Sequence, residues 1–160
     1  MNLKRMGKRG FVFQLSGREK RILFETFKLY PLVPATHHRL SKAAGDQSEE
    51  NQRLLEESLT EQRTANRQKL EALLNDPGRF KKSGSNYRLP LKASELEWLL
   101  QVFNDVRVGS WLALGEPDED KPPAITPENF RYLVAMEVCG AFQSVILAVL
   151  GAPESAEGLE

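Results

Sequence analysis

Cysteine is almost absent from this 160-residue chain, Cys139 being the single one. That excludes an intramolecular disulfide framework and a cysteine-based zinc cluster, and a reducing, cytoplasmic compartment is expected. Histidine is nearly as scarce, with only His37 and His38. Adjacent side chains on an extended segment diverge, and no third or fourth ligand is in view, so the pair reads as a surface loop and no metal site is expected. An excess of one charge is missing too: 22 Lys and Arg stand against 22 Asp and Glu, which excludes a globally basic nucleic-acid binder and a polyelectrolyte tail. The chain also lacks a Gly-rich phosphate loop, a nucleophile elbow, paired catalytic carboxylates and metal-spaced clusters. Neither an enzyme activity nor a cofactor is therefore expected.

Long apolar runs are rare. The N-terminal basic stretch is followed by apolar residues only as far as Leu15, interrupted at Gln14, whereas a signal h-region needs at least about seven. Residues 133–150 come closest to a membrane span but contain Glu137, Gln143 and Ser144. A carboxylate at mid-span costs about 2.5 kcal/mol or more, so we read this stretch as a buried core helix and expect no membrane association.

What is present suits one soluble domain, since 41% hydrophobic residues fill a single core at this length. Phe11, Phe13 and Leu15 alternate as in a half-buried strand, and so do Tyr87, Leu89 and Leu91. Each strand runs into a helix signal with a capping box, Ser16 with Glu19 and Ser94 with Glu97. Helices are expected at about 17–30, 49–74, 95–114 and from Thr126-Pro127-Glu128 to Gly151. A shift of 76 residues superimposes the two strand-helix units, with identities at Leu15/Leu91, Glu19/Glu95, Leu23/Leu99 and Phe27/Phe103, a pattern suggesting duplication. The expected fold class is α+β, helix-dominated: about four main helices around a central helix (95–114), with a small two-stranded sheet (11–15, 87–91). Residues 1–9 read as a flexible basic arm, 10–151 as a single helical domain and 152–160 as an acidic tail.

The third helix is apolar nearly all round, so its polar residues Asn104, Asp105 and Arg107 imply a buried hydrogen-bond network. Glu137, the only charge amid the fourth helix, or else Asp105, is the expected partner of Arg107. Cys139 on that helix reads as an inert core thiol. Asn104, Asp105 and Arg107 are candidate binding residues, since a guanidinium there would clamp a carboxylate. The second helix has a middle, residues 61–69, that is polar apart from Ala65 and should be exposed. Arg63 and Arg67 there, and the surface near Trp111, are candidate contacts for another protein. Residues 1–21 carry seven cations against Glu19, a local +6, so Lys4, Arg5, Lys8 and Arg9 define an alternative nucleic-acid contact.

The run Trp98-Leu99-Leu100-Gln101-Val102-Phe103-Asn104-Asp105-Val106-Arg107-Val108, followed by Leu112 and Leu114-Gly115, resembles the W-x-x-x-L-N-D-L-R-L … L-G signature of an actinobacterial family of unknown function. Phe103 replaces the usual leucine, and Val108-Gly109-Ser110-Trp111 stands where the family moves sooner to its Leu-Gly. The resemblance spans Trp98 to Gly115 and carries over no catalytic residue. It implies a small, mainly helical cytoplasmic bacterial protein, often encoded beside an adaptor of the Clp protease, and hence regulation or adaptor work. A regulatory or adaptor protein that binds another protein, such as protease-adaptor machinery, is the expected function, and nucleic-acid-associated regulation is the alternative. Surplus apolar surface on the third and fourth helices would also suit a homodimer.

Overall fold

A computed structural model describes residues 1–8, 10–34 and 46–151, the side chains of 46–48 excepted. It is helix-rich with a small antiparallel sheet. Asn2–Met6 (β1) and Gly10–Ser16 (β2) form a hairpin followed by Gly17–Phe27 (α1) and the long helix Asp46–Leu74 (α2). Lys81–Ser83 (β3) and Asn86–Lys92 (β4) form a second hairpin, followed by Ala93–Ala113 (α3) and Phe130–Gly151 (α4). The sheet order is β1-β2-β4-β3, antiparallel throughout.

The expected two-stranded sheet thus has four strands, and part of the expected flexible arm is its edge strand β1. Backbone pairing explains why both outer strands escaped the sequence pattern. In β1 the inward positions are Leu3 and Arg5, opposite Phe13 and Phe11, of which only Leu3 is apolar, and β3 is Lys-Lys-Ser, so neither shows an apolar alternation. The expected helices around a central α3 also give way to a different arrangement. The row Leu3, Phe13, Leu89 and the neighbouring Phe11, Leu15 and Leu91 are buried on one face of the sheet, and α1, α3 and α4 cover that face. Phe142 of α4 packs on both Phe13 and Phe103, at centroid distances of 5.5 and 5.1 Å, and Phe103 meets Phe27 at 5.5 Å.

The helix starts follow from their caps. Ser16 Oγ accepts from Glu19 N at 3.1 Å, and Glu19 Oε1 accepts from Ser16 N at 2.9 Å, the expected box. Burial alone would raise the Glu19 carboxyl, but the N-terminal ammonium at 2.7 Å and the Ser16 bonds outweigh it and hold its pKa below the ordinary value. The second box lies two residues before its expected place. Because β4 runs without a break into α3, the strand's last residue is the cap, and Lys92 N donates to Glu95 Oε1 at 3.0 Å. At the other end of α3, Glu116 N donates to Trp111 O and Gly115 N to Leu112 O, with Gly115 at φ 82°, a Schellman closure that needs the left-handed glycine.

The 76-residue shift is visible in three dimensions. It carries Gly10–Ser16 onto Asn86–Lys92 and the first residue of α1 onto the first of α3. In the central β2–β4 pair Phe13 faces Leu89, its own equivalent, so the two strands are related by a local two-fold at that point. The same offset carries the buried stripe of α4, Ala135, Cys139, Phe142 and Ile146, onto Leu59, Arg63, Asn66 and Leu70 of α2, of which Asn66 and Leu70 are buried. The packing of the long helices is not repeated, since α4 lies closely against α3 and β1 whereas α2 makes no comparably close approach to any element. Each half of the chain reads ββαα in order, and the two hairpins share one sheet.

Gly109 of α3 marks a close approach of the segment after α1 to that helix. A β-carbon there would lie 2.6 Å from Leu32 Cβ and 2.9 Å from its carbonyl carbon, whereas one at Gly140 of α4 meets nothing within 4 Å. Gly109→Ala is expected to destabilise the fold by about 1–3 kcal/mol. Gly140→Ala should be neutral or gain up to about 1 kcal/mol from helix propensity, and urea unfolding of the two variants checks the contrast.

Candidate functional site

Two clefts lie between the helices. The first, about 220 Å³, separates α2 from α3 and is lined by Tyr30, Val33, Leu59, Gln62, Arg63, Asn66, Gln101, Asn104, Asp105 and Val108. The second, about 540 Å³, separates α1 from the start of α4; its floor is Ile22, Thr26, Leu29, Phe130, Val134 and Ala135, its rim Arg21, Glu25, Lys28 and Arg131. The same 76-residue shift relates them. Glu25, Lys28 and Leu29 correspond to Gln101, Asn104 and Asp105, and Leu59 corresponds to Ala135. One architecture thus presents a polar cleft and an apolar one.

The polar cleft is largely satisfied from within. Asp105 Oδ1 accepts from the main-chain N–H of Leu32 at 2.6 Å and of Val33 at 3.4 Å, and Arg63 lies 3.7 Å from its other oxygen. Gln101 Oε1 accepts from Gln62 at 2.8 Å and from Asn66 at 3.3 Å, and Asn66 also donates to the Tyr30 hydroxyl at 3.4 Å. Burial pushes the Tyr30 phenol above its ordinary pKa, and the Asp105 charge adds to this against the opposing Asn66 bond and Arg63 charge. The middle of α2 is exposed at Glu61, Gln62, Thr64, Ala65, Gln68 and Lys69, as expected, but the Arg63 side chain is only 17% exposed and Asn66 is buried. Arg67 is likewise engaged. It donates to Phe27 O at 3.3 Å and Tyr30 O at 3.1 Å, tying the turn after α1 to α2, and lies 3.3 Å from Glu71 Oε1.

Of the candidate residues, Arg63, Asn104 and Asp105 are brought together here, with Asn104 exposed at the mouth. Arg107 and Trp111 lie elsewhere. Arg107 is exposed and donates to Gln143 Oε1 at 3.2 Å, and Glu137 is exposed on α4. The expected buried network of Arg107 with Glu137 or Asp105 is therefore absent. The reason is geometric: α3 buries Val102, Phe103, Val106 and Ser110, which leaves Asn104 and Arg107 on the helix's solvent side. Trp111 Nε1 donates to Pro117 O at 3.2 Å and so holds the following loop. Arg5 turns inward, donating to Val149 O at 3.3 Å and stacking 5.1 Å from the Phe11 ring centroid, while Lys4 and Lys8 are exposed. Arg9, His37 and His38 lie outside the described residues.

The apolar cleft was not singled out in the sequence. Its signal was α4, apolar on every side although only one side can face a core. In the structure 22% of its most apolar 18-residue stretch is buried, so the expected buried core helix is buried along one stripe only. By length and composition it is also the one helix among the described residues apolar enough to cross a membrane. Phe130 and Leu147 are 56% and 57% exposed. Cys139, by contrast, is fully enclosed. Burial pushes its thiol up to about 12, with Arg107 opposing and Asp105 adding to the shift, so no thiolate is available near neutrality. Among the described residues no group of three His, Cys, Asp or Glu is placed to hold a metal ion. No protein-family model matches the chain, and no curated protein or solved structure matches it either.

Two outcomes follow. Asp105→Ala strands two main-chain donors and Arg63 and should cost about 2–4 kcal/mol, whereas Arg107→Ala should stay within about 0.5 kcal/mol; chemical denaturation separates them. Iodoacetamide at pH 8 should leave Cys139 unmodified in the folded protein and alkylate it once urea unfolds the chain, as read by intact mass.

Proposed function

We propose that this chain is a regulatory or adaptor-type protein of the bacterial cytoplasm that binds another protein and carries no catalysis of its own. The observation supporting this reading is the contrast between two related clefts. The polar cleft receives the chain's own segment: Val33 is 5% exposed at its wall, and the Leu32 and Val33 N–H groups are held by Asp105. At the apolar cleft Leu29 stands in the place of Asp105, and Phe130 remains 56% exposed.

A groove of about 540 Å³ lies within the range of roughly 300–1,000 Å³ typical of ligand sites. Its floor suits apolar side chains, and its rim, with Arg21, Lys28 and Arg131 against Glu25, suits a partner segment carrying charge beside them. The rim is partly organised already, since Lys28 Nζ lies 2.8 Å from Glu25 Oε1 and Arg131 donates to the Tyr132 hydroxyl at 2.7 Å. Exposed aromatic and aliphatic side chains around such a groove are the residues that dominate protein interfaces. The resemblance of Trp98–Gly115 to a family encoded beside a protease adaptor supports the same reading. A second copy of the chain is the competing occupant.

A photo-crosslinking phenylalanine derivative at position 130 tests this in cells. The expected result is an adduct with a different protein, lost on Val134→Asp, which should weaken binding by at least about tenfold while leaving the circular dichroism unchanged. Either no adduct, or an adduct only at twice the chain's own mass, would overturn it.

A further inference from the structure

The sheet segregates charge. Its four strands carry Lys4, Arg5, Lys81, Lys82, Arg88 and Lys92 and no Asp or Glu, although the whole chain balances at 22 against 22. Register places most of these cations on the face turned away from the helices. Lys4 faces Val12 and Val12 faces Pro90; Gln14 faces Arg88 and Arg88 faces Lys81; Lys92 faces Gly10. These rows alternate with the buried row Leu3, Phe13 and Leu89, so they lie on the opposite side.

Two features of this face call for an anion. A cavity of about 270 Å³ is lined by Val12, Lys81, Lys82, Ser83, Arg88 and Pro90, and at its wall the Arg88 Nε–H is buried without a hydrogen-bond partner. A buried donor without an acceptor is costly, and an oxyanion in the cavity supplies the acceptor once the guanidinium turns toward it. Arg88 and Lys81 are moreover directly opposed across β3 and β4. Like charges in that position destabilise a sheet, and a bound anion between them reverses the sign.

We infer that this outer face binds a nucleic acid through its phosphate backbone, one phosphate seating between Lys81, Ser83 and Arg88. The inference is independent of the protein-binding groove. Arginine's fork and a serine hydroxyl match phosphate oxygens. Adjacent strands are about 4.8 Å apart, so Lys4, two strands from Arg88, extends the positive track across the sheet as a polyanion requires. Val12 and Pro90 form an apolar floor beneath it. The outward strand positions include no aromatic residue, so the contacts read the backbone and not the bases.

Fluorescence anisotropy with a labelled single-stranded RNA of mixed sequence, titrated between about 50 and 300 mM KCl, tests the proposal. Four phosphate contacts predict a log–log salt slope near about −3 for a single strand. The Lys81→Ala/Arg88→Ala pair should lower the slope by about 1.4 and weaken binding at least about tenfold at low salt. Lys4→Ala/Lys92→Ala, at exposed positions, should lower the slope equally and serves as the second pair if the first fails to fold. Val134→Asp should leave RNA binding intact. Salt-insensitive binding, binding unchanged in a folded variant pair, or competition by polyglutamate equal to that of an oligonucleotide of the same charge would each overturn the inference.

Discussion

The pairing of β2 with β4 is the constraint on which the rest depends. Phe13 sits opposite Leu89, and from that point each strand runs outward into its own helix, closed by a glutamate three residues beyond the cap: Glu19 for Ser16, Glu95 for Lys92. A register slip of one residue would exchange the two faces of a strand. It would turn Phe11, Phe13 and Leu15 toward the lysines and Val12 and Gln14 toward the helices. The burial of Phe11 and Phe13 with Leu3, Leu15, Leu89 and Leu91 on the inner face therefore opposes any slip, and the same pairing that builds the core collects most of the strand cations on the other side.

Around that pair the two halves of the chain carry different chemistry at positions 76 residues apart. Where α4 has Cys139 and Phe142 on its inward stripe, α2 has Arg63 and Asn66; where the turn after α1 has Leu29, α3 has Asp105. The polar set is not solvated surface. A carboxylate that takes two main-chain donors and one guanidinium exchanges desolvation for charge-assisted bonds and fixes a direction, which an apolar contact does not. The segment after α1 is thereby held across α3 at Gly109, the position where a methyl group would collide. The apolar set has no such directional anchor, and its cleft stays open. The two clefts thus differ in whether a directional polar latch is present, Asp105 in one and Leu29 in the other.

The sequence displayed the parts of this fold that depend on side-chain period. Phe11-Phe13-Leu15 and Tyr87-Leu89-Leu91 alternate, the caps carry Ser16, Glu19 and Gly115, and the 76-residue shift is legible in four identities. It did not display β1 and β3, because main-chain pairing needs no apolar alternation and a strand with one inward leucine looks like a basic arm. The middle of α2 is exposed at most positions, as its lack of apolar residues implies, yet Asn66 is 4% exposed and Arg63 and Arg67 are engaged by groups 37 to 42 residues away along the chain, which no local pattern reveals. Arg107 shows the converse error, since an arginine among apolar neighbours looks buried until the helix's inward stripe is known. Of the candidate site, Asp105, Asn104 and Arg63 were identified as residues but not as one cleft, and the apolar groove was legible only as an excess of apolar surface on α4.

The placement of the two proposed surfaces has its own consequence. The apolar groove belongs to the helical layer, between α1 and α4, and the basic face is the other side of the sheet. Occupation of one leaves the other accessible, so no steric exclusion couples them. The shortest covalent path between them runs through β2, which contributes Val12 to the basic face and ends at Ser16, the cap of the helix that supplies Ile22 and Thr26 to the groove. That junction is rigid by construction, because the capping box fixes the direction of α1 relative to its strand. A rigid link between independent surfaces favours simultaneous engagement over switching: a switch requires an element with two arrangements that the ligands favour unequally, and neither β2 nor the start of α1 offers a second arrangement that keeps the phenylalanine core intact.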